Sequence, residues 1–120
     1  GVREAAAKVA AILPPSPLFF AEVQGVTIGF KADCLLPIGA FKLRGAWHRL
    51  TALDAEARAR GVVAFSSGNH AQGVAWAAKK FGIKANIFMP VGSPLTKIKN
   101  TESLGAEVIL HGNSIEEGFQ

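Results

Sequence analysis

The stretch Val62-Val63-Ala64-Phe65-Ser66-Ser67-Gly68-Asn69-His70 reads as a short apolar strand, a small polar turn and the opening of a helix. From Asn69 onward Ala71, Val74, Ala75, Ala78 and Phe81 recur at three- and four-residue spacing, which predicts a helix over 69–81. Gly82 follows where a helix C-terminus favours glycine. The first N–H groups of a helix lack internal partners and lie at the positive end of its dipole, so a carboxylate or phosphate binds there. Ser66, Ser67, Asn69 and His70 add two hydroxyls, a carboxamide and an imidazole to that end. The same five residues also read as a plain turn in which Ser67 or Asn69 merely caps the helix, and residue chemistry alone leaves both readings open. Gly68 and Gly73 are the only glycines here, so the G-x-G-x-x-G dinucleotide fingerprint is missing.

Outward from this stretch the pattern becomes regular. Toward the C-terminus, 85–89 reads as a strand, and Ser93-Pro94 as a cap and first-turn pair for a helix to Leu104, ended by Gly105. Another strand follows at 107–110. Toward the N-terminus, Asp54 is placed to cap a helix through Arg60, ended by Gly61, and a longer helix is expected from Ala40 or Phe41 to about Leu53. Residues 33–40 read as a loop and 26–31 as an alternating strand. Residues 2–13 look helical, with Val9, Ile12 and Leu13 on one face. Pro14, Pro15 and Pro17 then force an extended segment toward Leu18, Phe19 and Phe20. Apolar strands alternating with helices predict an α/β fold: a mostly parallel sheet with helices on both faces, three layers in αβα order. Ligands of such sheets sit at the carboxyl ends of the strands, where Ser66–His70 and 90–93 both fall.

Composition narrows the function classes. The chain has 120 residues, 49% apolar and 18% charged, enough for one modest core and too apolar for disorder. No apolar run approaches the roughly 20 residues of a membrane span, and no leader with an apolar core and cleavage site is visible. The net charge of +4 is diffuse, with Lys79, Lys80, Lys84, Lys97 and Lys99 on different segments, which argues against a nucleic-acid surface. The single cysteine, Cys34, excludes an internal disulfide and a clustered cysteine metal site, and fits a reducing, cytoplasmic setting. No metal site is expected. Gly1 in place of methionine, and the capping box Ser114-Ile115-Glu116-Glu117 so close to Gln120, suggest a fragment of a longer chain.

A second stretch, Pro37-Ile38-Gly39-Ala40-Phe41-Lys42-Leu43-Arg44-Gly45-Ala46, supplies a candidate nucleophile. A lysine becomes a Schiff-base former when desolvation or a nearby cation lowers its pKa. Lys42 has apolar Phe41 and Leu43 beside it and Arg44 two positions on. Most lysines are solvated surface residues, and composition alone does not single this one out.

Taken together, the motifs resemble the N-terminal part of the serine/threonine dehydratase family. Gly39-Ala40-Phe41-Lys42-Leu43-Arg44-Gly45-Ala46 is similar to its cofactor-lysine motif S-F-K-[IL]-R-G-A, and residues 66–75 to S-S-G-N-H-A-Q-G-x-A. Met89-Pro90, the 94–97 region and Gly105-Ala106-Glu107-Val108 match a third segment, and the likeness runs from Ser16 onward. The resemblance implies the tryptophan-synthase-β-like fold of pyridoxal-phosphate enzymes (fold type II), incomplete in this chain. Residues 1–53 would belong to the large cofactor domain with its lysine, and residues 54–120 to a truncated small α/β domain. It further implies that Lys42 carries pyridoxal 5'-phosphate, that Phe41 packs beside the pyridine ring and that Asn69 hydrogen-bonds the ring hydroxyl. Ser66, Ser67, Gly68 and His70 would receive the substrate carboxylate, with Ser67 also a candidate acid/base.

The activity implied is an ammonia-lyase on L-threonine or L-serine, giving a 2-oxo acid and ammonia by α-proton loss and β-hydroxyl expulsion. Serine racemase and 3-hydroxyaspartate dehydratase are alternatives within the family, and a degenerate, non-catalytic binding module is one outside it. Partners are a hydroxy amino acid and copies of the complete chain (a dimer or tetramer), not nucleic acid or membrane. Four positions depart from the pattern: Ala40 for serine, Ile38 for threonine, Asp33 for glutamate and Ser16-Pro17 for Thr-Pro. The family's glycine-rich phosphate loop and its partner for the pyridine nitrogen have no counterpart in these 120 residues, which alone are not expected to turn over.

Overall fold

The computed structural model describes residues 1–114 and Glu117. Helix α1 (Val2–Ala10) leads into a hairpin of β1 (Leu18–Val23) and β2 (Val26–Lys31), then a single 3₁₀ turn at Asp33–Leu35. Helices α2 (Lys42–Thr51) and α3 (Ala55–Arg60) follow, and then β3 (Val62–Phe65), α4 (Asn69–Phe81), β4 (Ala85–Met89), α5 (Leu95–Ser103) and β5 (Glu107–Leu110). The fold is α/β, built on the parallel sheet β3–β4–β5.

Local chemistry fixes the element ends. Asp54 accepts a hydrogen bond from the Ala57 N–H at 2.7 Å and caps α3 as expected. At Gly82, which adopts φ 66°, the Ile83 N–H reaches Ala78 O at 2.9 Å and the Gly82 N–H reaches Lys79 O at 3.2 Å, closing α4 in a Schellman turn. Two expectations differ in detail. The cap of α5 is Pro94, not Ser93: the Ser93 N–H closes a turn onto Pro90 O at 3.0 Å, so the helix starts one residue later and Ser93 Oγ is buried without a partner. Helix α1 is shorter than 2–13, although Ile12 and Leu13 still donate to Val9 O in a further turn before the prolines. Within the expected capping box, the Glu117 N–H donates to Ser114 Oγ at 3.2 Å, and the rest of that expected helix lies outside the described residues.

The core forms where α2, α4 and one face of the sheet meet. Leu43 and Ile87 are 0% exposed, with Ala71, Ala75, Ala77 and Ala78 of α4 packed between them. Trp47 of α2 stacks on Phe81 of α4 (centroids 4.4 Å apart) and donates through Nε1 to Lys8 O of α1 at 2.9 Å, tying three helices together. Along β4 burial alternates: Ala85, Ile87 and Met89 face the helices, while Asn86 and Phe88 face the other way and are half-buried. That second face is the more open one, Val63 on it being 70% exposed. No described helix is long and apolar enough to cross a membrane.

Candidate functional site

The parallel pairing of β3 with β4 runs one residue past the strand, because the Ser66 N–H donates to Phe88 O at 3.0 Å. The chain then turns sharply. Ser66 Oγ accepts from the Gly68 N–H at 3.2 Å, and Gly68 itself, in extended backbone, is the residue before the first turn of α4. Neither Ser67 nor Asn69 caps the helix, so its first N–H groups are not consumed by a side-chain cap. Ser66, Ser67 and Gly68 are half-buried, whereas Asn69 and His70 are exposed.

Lys42 opens α2. Leu43, Ala46, Trp47 and Leu50 form the buried stripe of that helix, which leaves Lys42 on the exposed side with its ammonium 5.3 Å from the centre of the Phe41 ring. Helix α2 lies along α4 as the most extensive helix pair in the chain. The contact is tight at Gly73, where an added Cβ would stand 3.3 Å from the Lys42 carbonyl carbon and oxygen and 3.4 Å from Ala46 Cβ. A bare glycine on α4 therefore lets the start of α2 settle onto it, one turn past the polar turn. His70 registers the same proximity: burial, and after it the charge of Lys42, push its pKa below the ordinary histidine value. The shift disfavours the protonated ring, and Lys42 and Lys97 are the lysines near the turn.

Two expected features of the lysine's surroundings are not formed. Leu43 points into the core, and Phe41 is 60% exposed, so the described residues do not build an apolar wall around the amine. Arg44 does not face Lys42 either, in keeping with a two-residue helical offset. Its guanidinium reaches Asp33 Oδ1 at 3.1 Å and Ser16 Oγ at 3.2 Å, the Ser16 hydroxyl donates to Asp33, and Lys31 adds a bond to Ser16. The Arg44 and Ser16 hydrogen bonds hold the Asp33 carboxyl below the usual carboxylate range. Ser16 and Asp33, two of the positions that depart from the dehydratase pattern, thus meet at one place and fasten the end of the hairpin to α2. Ile38 serves packing: it lies against the core and lines a cavity of about 240 Å³ with Gln72, whose Nε2 is buried without a partner.

The model of the family described as pyridoxal-phosphate dependent enzyme matches residues 12–120. The chain belongs to that family. An L-threonine ammonia-lyase of Thermotoga maritima is 52% identical over 99 residues, 82% of this chain and 25% of that protein. The structure superposes on maize serine racemase with a TM-score of 0.93 at 39% identity, over 98% of this chain and 37% of that one. It superposes on the processed threonine deaminase isoform 2 of Solanum lycopersicum with a TM-score of 0.89 at 36% identity, over 97% of this chain and 33% of that one. The chain therefore spans about a quarter of the length of the curated relative and about a third of the solved structures.

The donors present suit pyridoxal phosphate: an exposed primary amine, a carboxamide, and an uncapped helix end with serine hydroxyls in its turn, all joined through one helix pair. Among the described residues no group of three His, Cys, Asp or Glu is arranged to hold a metal. Sequence reasoning missed two participants. Gly73 gave no signal beyond its place in a motif, because its importance is a contact with a helix 31 positions away at Lys42. Lys97 was legible only as part of a matching segment, yet its ammonium donates to Asn69 Oδ1 at 3.3 Å.

Proposed function

We propose that the full-length protein carrying this chain is a pyridoxal-phosphate-dependent ammonia-lyase that converts L-threonine or L-serine to a 2-oxo acid and ammonia. The observation that carries this reading is the packing of the start of α2 on α4 at Gly73, close enough for the Lys42 charge to act on His70. Lys42 would hold the cofactor, Phe41 would lie beside its ring and Asn69 would donate to its ring hydroxyl. When bound, the cofactor supplies an electron sink for the pair left at the substrate α-carbon. Ser66, Ser67, Gly68 and the uncapped N–H groups of α4 bind and orient the substrate carboxylate, and His70, whose protonated form is disfavoured, contributes hydrogen bonding there. Lys42 Nζ, once free, takes the α-proton.

Serine racemisation is the second reading, favoured by the likeness to maize serine racemase, with Ser67 as the second acid/base. We further propose the domain division 1–53 and 54–120. The hairpin and α1–α2 precede the parallel sheet, while α2 packs on α4 across the proposed boundary. We also propose a cytoplasmic, homo-oligomeric enzyme, with the isolated 120 residues inactive. The test is direct: the full-length protein is assayed for 2-oxo acid from threonine and serine and for D-serine, with Lys42→Ala as control. Visible cofactor absorbance and 2-oxo acid release, both lost in Lys42→Ala, are expected. D-serine as the main product favours the racemase, and cofactor absorbance undiminished in Lys42→Ala overturns the role of Lys42.

A further inference from the structure

Lys97 stands 28 positions beyond Asn69, on a different helix, and donates to Asn69 Oδ1 at 3.3 Å. Its backbone is fixed from behind: the hydroxyl of Thr101, 0% exposed, donates to Lys97 O at 2.8 Å. Among the described residues Lys97 forms no ion pair, so its charge is not spent on a carboxylate. A lysine ammonium has three donors and no acceptor. Only the oxygen end of the Asn69 carboxamide can therefore face it, which leaves the NH₂ end, a donor, outside that contact. The adjacent positive charge also polarises the carboxamide and strengthens that donor.

We propose that Lys97 is a positioning residue that holds Asn69 as an obligatory donor to an anionic oxygen. Resting on the cofactor reading above, that oxygen is the ionised ring hydroxyl of pyridoxal phosphate. Lys97 acts through Asn69 and touches neither cofactor nor substrate.

The experiment is a double-mutant cycle in the full-length holoenzyme, read by cofactor retention on dialysis and by the ratio of ionised to un-ionised ring-hydroxyl absorbance. Lys97→Met keeps the aliphatic stem and removes the donor. It is expected to weaken cofactor retention about five-fold, the scale of one ordinary hydrogen bond, and to lower the ionised fraction. Lys97→Arg, also donor-only, restores most of both. In an Asn69→Ala background Lys97→Met adds nothing. If Lys97→Met alters neither readout, or alters both equally with and without Asn69, the positioning role is overturned. If Asn69→Ala itself leaves both readouts untouched, the assignment of Asn69 to the cofactor fails and takes the role of Lys97 with it.

Discussion

Strands β4 and β1 are both apolar, yet Ala85, Ile87 and Met89 are 3%, 0% and 0% exposed while every residue of β1 and β2 is exposed. The hairpin pairs fully, from Leu18 opposite Lys31 to Val23 opposite Val26, through a Gln24-Gly25 turn in which both residues take positive φ. It pairs along its whole length and buries none of its side chains. The parallel sheet does both, because α4 and α5 are delivered to it by the crossovers themselves. A strand's hydrogen bonds come from its neighbour in the sheet, whereas its burial comes from whatever packs on its face. Phe19, Phe20 and Phe30 are on strands without such a cover.

The largest expected effect comes from breaking the packed side. Leu43→Ala deletes a fully buried side chain between α2 and the α4 core, and should cost about 2–5 kcal/mol in urea unfolding. Phe20→Ala, at a position 68% exposed, should cost less than about 0.5 kcal/mol despite the larger side chain. Equal losses would mean that the hairpin is packed in solution, and the contrast would collapse.

Glycines sharpen the same contrast at smaller scale. Gly61 has φ 86°, and a Cβ there would stand 2.8 Å from Lys84 O, at the point where α3 hands over to β3. Gly61→Ala therefore meets both strain and a backbone clash and should cost roughly 2 kcal/mol or more. Gly25, φ 77° with open space around it, meets strain alone and should cost about 1 kcal/mol.

These differences also mark what the residues could tell in advance. Local signals decide most element ends: Asp54 caps α3, Gly82 closes α4, and 26–31, 69–81, 85–89 and 107–110 are the elements found, whereas the Ser93 cap is displaced by a turn onto Pro90. β1 was legible only as an extended run after prolines, since Leu18-Phe19-Phe20-Ala21 has no two-residue alternation to reveal a strand. For the site, motif resemblance pointed to Lys42 and to 66–70, and their juxtaposition is the packing at Gly73. The Ser16–Asp33–Arg44 network was not legible, because its members are joined across 28 and 11 positions by hydrogen bonds that no periodicity records.

That network is where the loose hairpin is fastened to the packed helices, and a smaller effect is expected there. Asp33→Asn removes the charge that pairs with Arg44 at a half-buried position, and should cost about 1 kcal/mol at neutral pH. The sign of the pH dependence is fixed by the lowered carboxyl. Its contribution is complete above the ordinary aspartate value and is lost as pH falls through the depressed folded one, so the gap between wild type and Asp33→Asn should close in acid. A gap that stays constant across that range would place the stabilisation in shape rather than in charge.

The smallest effect is the most informative about the site. His70 is held below its ordinary pKa first by burial and then by the Lys42 ammonium. Folded His70 thus resists a proton that the unfolded chain accepts, and stability falls as pH drops through the ordinary histidine range. Lys42→Met removes only the charge, so an NMR titration of the His70 ring should move upward without reaching the unfolded value, while Phe20→Ala in the hairpin should leave it where it was. Both outcomes follow from distance alone and need no cofactor. A His70 titration indifferent to Lys42 would separate the two motifs in space, and the packing of α2 on α4 at Gly73 would then no longer bring the amine to the turn.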